Sequence, residues 1–250
     1  MDKLIFTSLG SQQFIDQRIQ QISNEIANVS TTGFKRTFAA ATQAYRLDGD
    51  GFNTRFLAGV MPSSRVDMTP GPVMSTGAPL DIALTANELL GVRTAKGETA
   101  YTRRGDLKVG SDGILRIGTG EQVLSDANAP ITVPDLTEIK IGPDGTVLTK
   151  QVAGEAVVFQ PLARMRVVEA DPTKVRLRVD GLYESSDGQP FADATTPEVA
   201  SGALEGSNSN LFSTMVDMIS MSRRYEMQVK VLKQASDLSE RSQSLAKLGQ

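Results

Sequence analysis

Near both ends of this 250-residue chain, apolar residues recur at alternating spacings of four and three, and nothing else constrains the fold as strongly. Ile15, Ile19, Ile22, Ile26 and Val29 form the first series; Leu211, Met215, Met218, Ser222, Tyr225, Val229 and Leu232 form the second. Such spacing lays an apolar stripe along one face of a helix. A helix of roughly 20 residues is marginal alone in water because nucleation is costly, so each stripe needs a cover. The cover is the other terminus or a neighbouring subunit. Ile15, Ile19, Ile22, Ile26, Val29, Leu211, Met215, Met218, Tyr225, Val229 and Leu232 are therefore the predicted subunit-interface residues. In the last third of the second helix Val231, Ala235, Leu238, Ser242 and Leu245 add another row, which suits contact with more than one partner.

Between the helices the patterning changes from a period near 3.6 to a period of two. Asp81 to Leu84, Leu107 to Val109, Ile114 to Ile117, Ile139 to Ile141, Arg164 to Val168 and Val175 to Val179 read as short strands. Asp112-Gly113, Asp144-Gly145, Asp180-Gly181 and Asp187-Gly188 separate or close them, and Asp-Gly supplies the positive φ of tight hairpin turns. At least two of the four should close hairpins. The fold class predicted is α+β: N- and C-terminal helices forming a coiled-coil-like bundle domain, and a central antiparallel β-rich domain. Residues 1–33 are assigned to the N-terminal helix of the bundle, 34–79 to an irregular connecting segment, 80–200 to the β-rich outer domain, and 201–250 to the C-terminal helix. The 34–79 segment is broken by Gly59, Pro62, Pro70, Gly71, Pro72, Gly77 and Pro79, and so much irregular chain is expected to lie against a neighbour.

Composition narrows function chiefly through absences. With no Cys and no His the chain has no thiol nucleophile, no imidazole base, and neither a Zn-type ligand set nor a Ser-His-Asp triad. Asp48 and Asp50 evoke a calcium loop, but the closing Glu is missing and a flexible acidic turn is the expectation. Gly118 and Gly120 lack the rest of a dinucleotide fingerprint. No cofactor, metal, catalytic residue or small-molecule substrate is expected. A net charge of −3, without a basic cluster, argues against nucleic acid as a partner. No run approaches the roughly 20 apolar residues of a membrane span, so membrane insertion is not expected. The first ten residues do not read as a cleaved signal. Arg103 and Arg104, after Tyr101, could face a partner but read first as a solvated strand edge. Assembly leads, ahead of a secreted coiled-coil binding module and an enzyme.

The ten residues Ala27-Asn28-Val29-Ser30-Thr31-Thr32-Gly33-Phe34-Lys35-Arg36, directly after the first helix, resemble the signature of bacterial flagellar rod and hook axial proteins. Asn28, Ser30, Thr31, Gly33 and Phe34 are its turn residues. The stretches Pro79 to Ala83, Tyr101 to Leu107, Ile141 to Gly145 and Gly202 to Asn208 resemble the family too, so the likeness covers nearly the whole chain. Thr85-Ala86-Asn87-Glu88-Leu89-Leu90 departs from it, where relatives often carry a Gly-rich, Phe-containing stretch. The resemblance implies a non-enzymatic subunit of a helical polymer, with copies of itself and other rod subunits as partners. It also implies export through the flagellar type III apparatus without a cleaved signal. It places the protein in the rod of the basal body, in the periplasm, where the rod transmits motor torque.

Overall fold

The computed structural model describes residues 2–38, 41–46, 56–61, 64–85, 87–134, 138–153 and 156–248. Asp48 and Asp50, read above as an acidic turn, lie outside the described residues. The chain divides into two compact units: residues 1–27, 38–63 and 210–250 form the first, and residues 28–37 and 64–209 the second.

The first unit holds helix α1 (Asp2–Ala27), the antiparallel hairpin of β1 (Ala41–Arg46) and β2 (Phe56–Met61), and helix α2 (Leu211–Leu248). α2 starts sharply because the Asn210 carboxamide oxygen accepts from the backbone N–H groups of Phe212 (3.0 Å) and Ser213 (3.2 Å), satisfying two donors that a helix start leaves free. The helices run antiparallel: Arg18 pairs with Asp217 at 3.6 Å, while Gly10 and Ser11 share a cleft with Gln228 and Val231.

This pairing corrects the expectation of a coiled-coil-like bundle. Among the described residues there are two helices and no coiled-coil bundle. The strip of α2 withdrawn from solvent runs Leu211, Thr214, Met218, Met221, Gln228, Leu232 and Ala235. Its spacing is right for a seam, but Thr214 and Gln228 interrupt the apolar run that knobs-into-holes packing needs. Met215 and Val229, predicted on the seam, sit one position away from it and are exposed. The α+β class and the antiparallel β-rich centre agree with the structure.

The second unit is built from β3 (Val73–Ser75), β4 (Ile82–Leu84), β5 (Glu88–Arg93), β6 (Thr99–Thr102), β7 (Leu107–Val109), β8 (Leu115–Ile117), β9 (Gln122–Val123), β10 (Ile139–Ile141), β11 (Thr146–Ala153), β12 (Ala156–Arg164), β13 (Val167–Glu169), β14 (Val175–Leu177), β15 (Tyr183–Ser185), β16 (Ala192–Asp193), β17 (Val199–Ser201) and β18 (Ala203–Glu205). The main sheet runs β14-β15-β6-β5-β9-β8-β7, with β13 joining β5 to β16. A three-stranded sheet, β10-β11-β12, and the two-stranded ribbons β17-β4 and β18-β3 complete it, and all these pairings are antiparallel. Three Asp-Gly turns close hairpins: Gly113 between β7 and β8, Gly145 between β10 and β11, and Gly181 between β14 and β15, each at positive φ. The fourth, Asp187-Gly188, turns the chain between strands that do not pair.

Alternation along β5 and β6 explains why the main sheet is buried on both faces. Leu90, Val92 and Ala100 enter one core with Leu115, Ile117, Val123, Ile141 and Val147. Leu89 and Tyr101 enter a second core with Val66, Met68, Val168, Val175, Tyr183 and Phe191. Tyr101 meets Phe191 edge to face at 5.0 Å. A period of two puts neighbours on opposite faces, and full burial of such side chains is worth roughly 1.5–3 kcal/mol each.

Candidate functional site

Each unit carries one feature that its own packing does not explain away. In the second unit it is the turn after residue 27. The Thr31 N–H donates to the Asn28 carbonyl (3.1 Å) and the Phe34 N–H to the Thr31 carbonyl (3.3 Å). The Thr31 hydroxyl donates to the Asn28 carboxamide oxygen (3.2 Å). Gly33 then takes φ +68° and is buried so tightly that a Cβ there would lie 2.5 Å from the carbonyl carbon of Arg103. Ser30 is exposed, and Asn28, Val29, Thr31 and Phe34 are half-buried.

The turn delivers Lys35 into a charge cluster sealed from solvent. Its ammonium donates to Glu205 Oε1 at 2.5 Å and to the Thr69 carbonyl at 2.8 Å. Arg103 Nε donates to the other carboxylate oxygen, Oε2. The rest of the Arg103 guanidinium donates to the carbonyls of Glu88 (2.5 Å), Leu84 (2.8 Å) and Thr85 (3.3 Å). The Gly71 N–H donates to Glu205 Oε1 (2.9 Å), and the Glu205 carbonyl accepts from the Gly33 N–H (2.7 Å). Asn208 completes the tie. Its N–H donates to the Phe34 carbonyl, its carboxamide oxygen accepts from the Arg36 N–H (2.8 Å), and its NH₂ donates to the Asp67 carbonyl (2.8 Å). The Tyr183 hydroxyl donates to the Gly33 carbonyl at 3.4 Å.

Two cations share one carboxylate here, and the titration shifts follow from that ratio. Burial pulls the Lys35 ammonium below its ordinary value, against the opposing hydrogen bond and charge of Glu205. Burial pushes the Glu205 carboxyl up, but Arg103 and Lys35 together outweigh it and hold it below the usual carboxylate value. The carboxylate has two counterions and each cation only part of one. Burial raises Glu88. A carboxyl depressed in the folded state contributes stability that is present above its unfolded value and lost as pH falls through the folded one. Glu88, being raised, acts in reverse: its contribution is present below the ordinary glutamate value and lost as pH rises through its folded one. Stability measured by urea titration from about pH 5 to pH 2 is expected to fall less steeply in Glu205→Gln than in the wild type. Equal slopes would show that the ion cluster does not govern the acid limb.

In the first unit the feature is an uncovered apolar face. Phe212, Val216 and Ile219 are 79%, 62% and 55% exposed, and with Met215 they occupy one side of α2 at spacings of three and four. Of the predicted interface residues, Ile15 and Ile22 are buried, and Ile19, Ile26, Leu211, Met218 and Leu232 are half-buried; Met215, Tyr225 and Val229 are exposed. An open cleft of 430 Å³ lies between the helices, lined by Gly10, Ser11, Phe14, Ile15, Met221 and Arg224 among others.

Sequence reasoning missed Glu205 and Asn208 as partners of the turn, and it misplaced Arg103. That residue is 2% exposed, not on a solvated strand edge. The signal was a resemblance rather than a spacing: both residues lie in Gly202 to Asn208, one of the stretches that resemble the family.

No group of three or more His, Cys, Asp or Glu side chains among the described residues could hold a metal, and the charges in the buried cluster bond one another. A β-rich unit, and a helical pair that leaves apolar side chains uncovered, are features of the structural-subunit class. Residues 83–149 match the family described as flagellar hook protein FlgE/F/G D1 domain, and residues 200–245 the one described as flagellar basal body rod FlgEFG protein C-terminal. The chain is 36% identical to flagellar basal-body rod protein FlgF of Escherichia coli (strain K12), over 98% of both chains. It is equally similar, at 36% over 98% of both, to FlgF of Salmonella typhimurium. Similarity to flagellar basal-body rod protein FlgG of Agrobacterium fabrum is 28%, over 93% of this chain and 94% of that one. The chain belongs to the flagellar basal-body rod protein family, and is a structural subunit of the basal-body rod.

Proposed function

We propose that this subunit polymerises helically, with copies of itself and with other rod subunits, into the proximal part of a drive shaft that carries motor torque across the periplasm. The observation that carries the reading is the uncovered face of α2, with Phe212, Val216 and Ile219 more than half exposed. Monomeric proteins rarely leave large residues clustered in water, and a clustered patch marks an interaction surface. A contact between unlike patches of successive copies does not close on itself and so builds a filament. The predicted interface residues on α2 that remain exposed, Met215, Tyr225 and Val229, belong to the contact on this reading; Ile15 and Ile22, buried in the subunit, support it from within. Delivery through the flagellar type III export apparatus, without a cleaved signal, is part of the same proposal and rests on family membership.

The test is the double substitution Val216→Asp, Ile219→Asp in a motile strain. Both positions are exposed, so the subunit should fold with unchanged far-ultraviolet circular dichroism, while rods are not completed and swimming is lost. Two carboxylates buried unpaired in a contact cost several kcal/mol each, enough to abolish a marginal helical contact. Normal swimming would remove the α2 face from the assembly.

A further inference from the structure

The strap formed by residues 198–209 ties together parts of the second unit that are far apart in the chain. Within the strap Glu198 bonds Thr85, Gly202 bonds Thr76 and Asp81, Glu205 bonds Gly33, Lys35, Gly71 and Arg103, and Asn208 bonds Phe34 and Arg36. The ion pair Lys35–Glu205 spans 170 residues of sequence. Without Glu205, the Lys35 and Arg103 side chains, at 0% and 1% exposure, would be two like charges in one dry space with no anion between them. Among the described residues no other carboxylate hydrogen-bonds either cation: Asp67 acts on Lys35 and Glu88 on Arg103 only through space, Asp67 being engaged by Arg36 at 2.9 Å and by Thr69, and Glu88 Oε1 accepting from the Glu198 N–H.

We propose that Glu205 is an electrostatic latch: residues 33–36 dock onto the rest of the second unit only after the carboxylate of the strap arrives to separate the two cations. Burying an uncompensated charge is among the costliest events in folding, so Lys35 stays in water until its counterion is present. The chain is synthesised N-terminus first, and Glu205 lies about four fifths of the way along it. The segment next to α1 therefore remains unfastened until nearly all of the second unit has appeared. The closing order is set by charge balance rather than by proximity in sequence.

Hydrogen exchange on the full-length chain tests this with the wild type, Glu205→Gln and the double variant Lys35→Met, Glu205→Gln. Glutamine keeps the size and an acceptor oxygen but leaves two buried cations; the double variant returns the cluster to one net positive charge, as in the wild type. The Gly33 and Arg36 amides should exchange at least about 100-fold faster in Glu205→Gln, with the Leu90 and Leu115 amides unchanged, and the double variant should recover most of that protection. Unchanged protection in the single variant, or a double variant worse than the single, overturns the latch. If Glu205→Gln exposes the Leu90 amide as well, the double variant still decides, as does pulse-labelled refolding of the wild type. There, the Asp67 amide, which donates to the Arg36 carbonyl, must gain protection no earlier than the Gly206 amide, which donates to the Pro72 carbonyl, and earlier protection overturns the proposal.

Discussion

Replacing Arg103 with methionine is expected to destabilise the second unit by about 3–5 kcal/mol, the usual range for removing one partner of a buried, hydrogen-bonded ion pair. The argument rests on how much of the guanidinium is used. Nε serves Glu205 Oε2, while the two terminal nitrogens serve the carbonyls of Leu84, Thr85 and Glu88, which wrap it from one side. Methionine occupies similar space but donates nothing, so three carbonyls lose a partner and Glu205 keeps only the Lys35 ammonium and the Gly71 N–H. Lysine should rescue little. Its ammonium is a compact charge without the planar fork that reaches a carboxylate and three carbonyls at once. Urea denaturation of both variants checks this, and a loss under about 1 kcal/mol in Arg103→Met would mean the network relaxes around the gap.

The second large effect is expected at Gly33→Ala, with a loss of about 3 kcal/mol or more. A left-handed conformation costs a residue bearing Cβ roughly 1–2 kcal/mol. At Gly33 the added carbon would also lie 2.5 Å from the carbonyl carbon and oxygen of Arg103 and 2.7 Å from the nitrogen of Arg104. Those are backbone atoms next to the buried guanidinium, and they cannot move without disturbing the ion cluster. Gly77 supplies the control. It has φ +71° with nothing within 4 Å of a built Cβ, so Gly77→Ala should show the conformational cost alone, about 1 kcal/mol. A thermal melt comparing the two variants separates strain from collision. Equal losses would show that the approach of Gly33 to Arg103 relaxes freely.

Local chemistry was legible in the sequence and long-range pairing was not. Asp-Gly marked the turns because only a few residues tolerate positive φ, and Gly113, Gly145, Gly181 and Gly188 all adopt it. The start of α2 rests on the same kind of local chemistry, since the short polar side chain of Asn210 satisfies free N–H groups. The bundle was misread because α2 carries apolar residues on several sides. Leu211, Met218 and Leu232 belong to the covered strip, but the pattern offered Met215 and Val229 as companions where the structure uses Thr214, Met221 and Gln228. A spacing rule weighs apolar residues and passes over a buried Thr or Gln. Arg103 was misread because arginine is usually exposed, and what buries it is a carboxylate 102 residues away. Half of the site, the turn at Gly33, stood in the sequence as a motif; the half that holds it, Glu205 and Asn208, stood in a second family-like stretch with nothing local to pair the two across 170 residues.

The uncovered side of α2 also bears Met215, exposed beside Phe212, Val216 and Ile219, while Met227 borders the cleft toward α1. Methionine is unbranched, with a polarizable sulfur and three rotatable bonds, and fills irregular gaps at little strain. A surface with such residues among its contacts accepts neighbours that differ in shape, where a face of branched side chains would demand a single fit. A shaft made from more than one kind of subunit has junctions between unlike neighbours as well as between copies. If the α2 face is the contact proposed above, tolerance of mismatch there would let one chain pack at both.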